Sequence, residues 1–272
     1  MKPATSYPGT QAVRRSVGLL KAFTADKPQR GLAELARAVG LNKTTAFRML
    51  AALEGEGMVE RTPAGDAYRL GPELLLLAGR AGGAHDLRAA ARTELEALAR
   101  ATRETATLEV LVGRETLILD EATGGHMVGA RPSLGTSWPA HATSTGKVLL
   151  AHLEGERRAA ALRGSWPALT ARTVTDAEAI VRALARVRAQ GYATAQEELE
   201  PGFVAVAAPV RDASGAVVAA LSVGGPKARL SADALRSCTR RVTAAAASVS
   251  AKLGHADSQR PARPATTGRK SR

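Results

Sequence analysis

The stretch "LAELARAVGLNKTTAFRML", Leu32 to Leu50, decides the fold of the first part of the chain. Leu32, Leu35, Ala36 and Val39 recur at i, i+3, i+4 and i+7, the spacing that puts apolar side chains on one face of an α-helix. Ala46, Met49, Leu50 and Leu53 repeat the pattern. Between the stripes stand Gly40, Leu41 and Asn42. The glycine can take positive φ at a helix end, and the asparagine can cap the next helix by accepting from its orphan amides. The pattern predicts two helices joined by a sharp turn.

Upstream, Val13, Val17, Leu20 and Phe23 give a third helical stripe, ending before Asp26, Lys27 and Pro28. Downstream, "GMVER" and "AYRL" read as short strands joined by "TPAGD", whose Pro63 and Gly65 suit a turn. Three helices followed by a hairpin describe a winged helix-turn-helix over residues 1–71. Gly71 and Pro72 then open a leucine-rich helix, predicted to stop at Gly79, Gly82 and Gly83 and read as a linker over 72–85.

A second domain is predicted over 86–253, with Asp86 capping a helix whose inner face carries Leu87, Ala91, Leu95 and Leu98. "TATLEVLV" and "ETLILDEA" flank Gly113 and Arg114 as a hairpin. A helix starts near Thr143, another covers Asp176 to Gln190, "FVAVAAPV" and "AVVAALSV" pair around "RDASG", and a last helix runs from about Ser231 to Leu253. Helices mixed with hairpins imply an α+β domain with helices packed on a sheet. Residues 254–272, rich in Arg, Pro, Thr and Ser, have no apolar period and read as a disordered basic tail.

Composition bounds the partners. The 272 residues carry a formal net charge of +13, of which 1–83 hold five units, 84–253 four and 254–272 four, so the ends are disproportionately basic. That favours a polyanionic partner. Cys238 is the only cysteine, so no intrachain disulfide or cysteine-rich zinc site can form. The opening "MKPATSYPGT" lacks the apolar core of a signal peptide, and no apolar run approaches the length that spans a bilayer. The expectation is a cytoplasmic protein with no membrane partner.

A helix fits the major groove of B-DNA, where donors on its exposed front reach phosphates and base edges. Lys43, Thr44, Thr45, Phe47 and Arg48 make that front. Arg48 can fork onto a guanine, while Lys43 and the threonine hydroxyls at the positive helix end suit phosphates. Arg61 and Arg69, on the predicted wing, are placed to meet the backbone or the minor groove. A solvated helical hairpin would share the stripes but not the wing that follows, so the implied partner is a double-stranded DNA operator.

Enzymatic readings find less support. "TSTGK" resembles the end of a phosphate loop, but His141 stands where its first glycine belongs and Val148 replaces the metal-binding hydroxyl. The five histidines show no metal-binding spacing, and Glu197, Glu198 and Glu200 have no nucleophile or metal set beside them. They read as residues that orient the loop before "PGF", His141 as a structural hydrogen-bonder and Cys238 as packing. No cofactor, metal or catalytic set is expected.

"GLAELARAVGLNKTTAFRMLAALEGEGMVER" followed by "YRLGPELL" resembles the DNA-binding half of the isocitrate lyase regulator (IclR) family of bacterial transcription regulators. "HATSTGKVLLAHL" and "GYATAQEELEPGFVAVAAPVRDASGAVVAALSVGGPKARL" resemble that family's effector domain, so the likeness covers about residues 11–253. The resemblance implies a GAF-like α/β effector domain, a homodimer or homotetramer on a palindromic operator, and repression or activation set by a small organic acid. Carboxylate-binding members of the family use backbone amides at the glycine of the helix start, here Gly146 and Lys147. They place polar side chains at positions matching Ala195, Ala205, Ser222 and Gly224, of which only Ser222 is polar in this chain. Alanine and glycine there leave more room and fewer donors, which suits an acid larger or more apolar than glyoxylate. Trp138 and Met127, in the loop before His141, would cover it. The alternative is a GAF-like metabolite-binding or enzymatic module with an accessory nucleic-acid domain.

Overall fold

The computed structural model of the chain describes residues 10–24, 27–80, 83–125 and 133–256. The first unit is built on three helices, α1 (Thr10–Lys21), α2 (Leu32–Ala38) and α3 (Lys43–Gly55), with strands β1 (Gln29–Arg30), β2 (Val59–Arg61) and β3 (Tyr68–Leu70). The strands form an antiparallel sheet in the order β1-β3-β2. Leu19, Phe23, Leu35, Leu50, Val59 and Tyr68 make its core. The turn between α2 and α3 follows from its residues: Gly40 has φ +65, and the Asn42 side chain accepts from the Thr45 amide at 2.8 Å.

Two expectations for this unit change. In α1, Val13 and Val17 are exposed while Leu19, outside the predicted stripe, is fully buried, so the inward face is rotated from the one read in sequence. Strand β1 was not expected, because two residues cannot display a period.

Helix α4 (Glu73–Arg80) runs through Gly79 rather than stopping there. Helix α5 (Gly83–Thr102) begins before Asp86, which therefore lies in the first turn instead of capping it. An acid there still complements the positive helix end.

The second unit is a sheet of β4 (Thr105–Val112), β5 (Glu115–Ala122), β6 (Ser137–Pro139), β7 (Ala193–Gln196), β8 (Phe203–Arg211) and β9 (Val217–Pro226). Their order is β6-β5-β4-β9-β8-β7, each neighbour antiparallel. Helices α5 and α9 (Ala232–Lys252) cover one face, over a core that includes Leu95, Leu108, Val206, Leu221 and Val242. Helices α6 (Ser144–Ala151) and α8 (Ala177–Gln190) cover the other, around Val148, Leu150, Leu184, Ala207 and Ala220. With both faces covered, successive residues of β4, β8 and β9 are buried regardless of alternation. Helix α7 (Gly155–Leu162), a 3₁₀ turn at Ala140–Ala142, and strands β6 and β7 were not foreseen. Trp138 thus stands in a strand opposite Thr116, not in a loop. Cys238 is buried in the α9 side of the core, as its packing role requires. No helix among the described residues is long and apolar enough to cross a membrane. Met127 and the arginines of the basic tail lie outside the described residues.

Candidate DNA interface and ligand site

The front of α3 is set by its back. Ala46 and Leu50 are fully buried, which turns Lys43, Thr44, Phe47 and Arg48 outward and leaves Thr45 half-buried. Neither Lys43 nor Arg48 has an ion-pair partner among the described residues, so both heads are available to an anion. The wing arginines are engaged. Arg61 lies 5.7 Å from the centroid of the Phe47 ring and 5.2 Å from that of Tyr68, and its Nε is 3.3 Å from Glu54. Arg69 is held at 2.6 Å by Glu60, the residue opposite it on β2. Exposed pairs of this kind contribute about 0–1 kcal/mol, so a phosphate can displace either acid. Phe47 joins Arg61 to the α3 front, whereas Arg69 sits apart from it on β3. The acids Glu54 and Glu60 were not legible as partners, because their pairing depends on the wing register.

In the second unit, the residues expected at a ligand site do share one face. Ala195 pairs with Ala205, Ala205 with Gly224, and Ser222 lies two residues along β9, on the α6 side of the sheet. The expected room is smaller than the side chains alone imply, because the Phe203 ring lies over Gly224: a Cβ there would stand 2.7 Å from its Cζ. Phe203 gives the alanine and glycine patch an aromatic wall.

The expected anion-binding amides are occupied. Thr143 caps α6, its Oγ1 accepting from the Gly146 amide at 3.0 Å, and the Lys147 amide donates to the Thr143 carbonyl at 3.0 Å. The Lys147 ammonium contacts Glu198 at 2.5 Å and the Thr194 carbonyl at 3.2 Å. Gly146 is needed for a different reason: its Cβ would fall 2.1 Å from the Ala140 carbonyl oxygen, so α6 rests directly on backbone.

A group not singled out in sequence dominates this face. The Glu109 carboxyl, on β4, accepts from Thr107 Oγ1 at 2.7 Å and from Thr145 Oγ1 at 2.6 Å, and Thr107 Oγ1 is 2.7 Å from Ser222 Oγ. Thr116, fully buried, faces the same carboxyl without a well-formed hydrogen bond. Burial pushes the Glu109 pKa up from the ordinary 4.5, against the smaller opposing pull of the threonine hydroxyls.

The remaining polar residues are structural. His141 Nε2 lies 2.9 Å from the Pro167 carbonyl, and burial lowers its pKa. Glu197 accepts from the Gly202 amide and Lys227 Nζ, and Glu198 holds Lys147, so both orient the turn before Phe203. Among the described residues no group of His, Cys, Asp and Glu could hold a metal ion.

Comparison with known proteins identifies the two units. Residues 12–63 match the IclR helix-turn-helix domain, and residues 80–251 match the bacterial transcriptional regulator IclR C-terminal domain. The glycerol operon regulatory protein of Streptomyces griseus is 36% identical over 247 residues, 90% of this chain and 96% of that protein. An IclR transcriptional regulator from Silicibacter sp. TM1040 superposes with a TM-score of 0.80 at 30% identity, covering 90% of this chain and 97% of that one. An IclR homologue from Microbacterium hydrocarbonoxydans, solved with 4-hydroxybenzoate, gives a TM-score of 0.79 at 31% identity, covering 89% and 98%. These relatives are regulators rather than enzymes. The chain belongs to the IclR family of bacterial transcriptional regulators, with a helix-turn-helix DNA-binding domain and a C-terminal effector-binding domain.

Proposed function

We propose that this regulator binds a palindromic operator in the cytoplasm as a homodimer or homotetramer, with Arg48 reading a base and Lys43, Thr44 and Thr45 holding phosphates. The observation that carries this is the exposed front of α3, whose Lys43 and Arg48 have no ion-pair partner among the described residues, fixed by the Asn42 cap and by the buried Ala46 and Leu50. One short helix makes few contacts, so two copies reading successive major grooves about 34–36 Å apart supply the affinity. Arg61 extends the same surface through Phe47, and Arg69 takes a backbone contact by exchanging Glu60 for phosphate. Footprinting on genomic fragments retained by the protein, with sedimentation analysis of the complex, tests the reading. A symmetric footprint occupied by an even number of copies is expected, and a single unsymmetric half-site held by a monomer overturns it.

The effector in this proposal is a small organic acid, larger or more apolar than glyoxylate, on the face formed by Ala195, Ala205, Ser222 and Gly224. The Phe203 wall supports an aromatic or partly apolar body, and the 4-hydroxybenzoate carried by the Microbacterium homologue is of that kind. A melting-temperature screen of short keto acids against aromatic acids tests it, since a ligand that binds only the folded state raises stability. Stabilisation by glyoxylate or pyruvate alone would overturn it.

A further inference from the structure

Glu109 is a buried carboxyl, 6% exposed, with no cation against it among the described residues. The nearest candidate on α6, Lys147, is committed to Glu198. Among the described residues its polar partners are hydroxyls: Thr107 on one oxygen, Thr145 on the other, and Thr116 beside them. Burying a carboxyl without a cation is costly, and an apolar side chain would serve the fold better at this point on β4. A carboxylate offers about four acceptor positions, of which the two threonines fill one on each oxygen. With Thr107 donating to Glu109, Ser222 must donate to Thr107, which leaves the Ser222 lone pairs open as well. The unfilled acceptors therefore sit beside the apolar patch of Ala195, Ala205, Gly224 and Phe203, on the same side of the sheet.

The start of α6 is already filled: Thr145 Oγ1 donates to Glu109 and the Gly146 amide donates to Thr143, so this helix end offers a ligand carboxylate no open Gly146 amide.

We propose that Glu109 reads a hydroxyl group on the effector: the bound molecule is a hydroxy acid whose hydroxyl donates to Glu109, whose apolar body lies on Phe203 and the alanines, and whose carboxylate points away from α6. This rests on the reading of the domain as the site of an organic acid. The test is calorimetric and thermal-shift titration of the full chain with 4-hydroxybenzoate, benzoate and 4-(aminomethyl)benzoate, with operator binding as the check on folding. In the native protein 4-hydroxybenzoate should bind at least about tenfold more tightly than benzoate, since a site built for a hydroxyl rejects the analogue that lacks it. Glu109→Leu should bring the two acids to near-equal affinity, while Glu109→Gln, whose amide oxygen still accepts, should keep the preference. Equal binding of the two acids by the native protein, a preference that survives Glu109→Leu, or selection of the aminomethyl compound would each overturn the hydroxyl reading and leave the acid site standing. If none of the three shifts the melting temperature of a chain that binds its operator normally, the acid-site reading itself fails.

Discussion

Thr145 Oγ1 donates a 2.6 Å hydrogen bond to Glu109 Oε2, which ties the first turn of α6 to the middle of β4. The carboxyl at the centre of this tie carries a stability cost that depends on pH. Its pKa is raised in the folded state above the ordinary 4.5, so it favours the fold at acid pH and that contribution is lost as pH climbs through the folded-state value. Glu109→Gln removes the titration while keeping the shape. Melting curves should show the variant gaining on the native chain as pH rises from 4.5 upward, and a difference that stays flat with pH would show that burial does not set the state of this carboxyl.

Arg48 and Lys43 should fail differently on DNA. Arg48→Ala should cost about 1–3 kcal/mol on the operator and relax one position, whereas Lys43→Ala should weaken all sequences alike and reduce the salt slope by about 1. Gel-shift titrations over a salt series separate the two, and unchanged operator affinity for Arg48→Ala would remove α3 from the groove.

The Asn42 cap supports the same surface from below. Asn42→Ala frees the Thr45 amide and should destabilise the first unit by about 1 kcal/mol. Chemical denaturation should show this loss with Asn42→Asp close to native, because aspartate caps equally well. Equal damage from both would mean the asparagine acts elsewhere.

Gly146→Ala places a Cβ 2.1 Å from the Ala140 carbonyl oxygen, and backbone cannot yield as a flexible side chain would. The cost should reach about 1–3 kcal/mol or more, read as a lower melting temperature of the second unit with operator contacts on α3 intact. A melting temperature equal to the native one would show that α6 can lift from the 3₁₀ turn without loss.

Much of this fold is legible where the period is long. The stripes of α2 and α3 and the helix from Asp176 to Gln190 can be read from residue order, because each helix buries one face and meets water on the other, while the hairpin around Gly113 can be read from its turn. β1 and β6, of two and three residues, have no period to read, and unlike the equally short β2 and β3 they are not joined by a tight turn to the strand they pair with. The exposed α3 residues proposed to face DNA are legible for the same reason as the helices, as the complement of an apolar stripe. Glu109 is not: in "TATLEVLV" it occupies the alternate position that an open sheet would expose to solvent, and only the α6 side of the structure closes over it. The occupied amides at Gly146 and Lys147 escape notice likewise, since a threonine before a helix does not reveal which amide it will take.

The seam between β4 and β9 joins residues far apart in the chain, with Thr107 and Ser222 separated by 115 positions. Every strand pairing of the first unit closes within residues 29–70. During synthesis the winged helix can therefore fold soon after it emerges. The larger sheet must wait until β9 has been made, because long-range pairing carries the loop-closure entropy of everything between. Until then β4 and β5 stand as a hairpin with an open edge at β4, and that edge is where a nascent chain of this regulator is most exposed to mispairing with another copy.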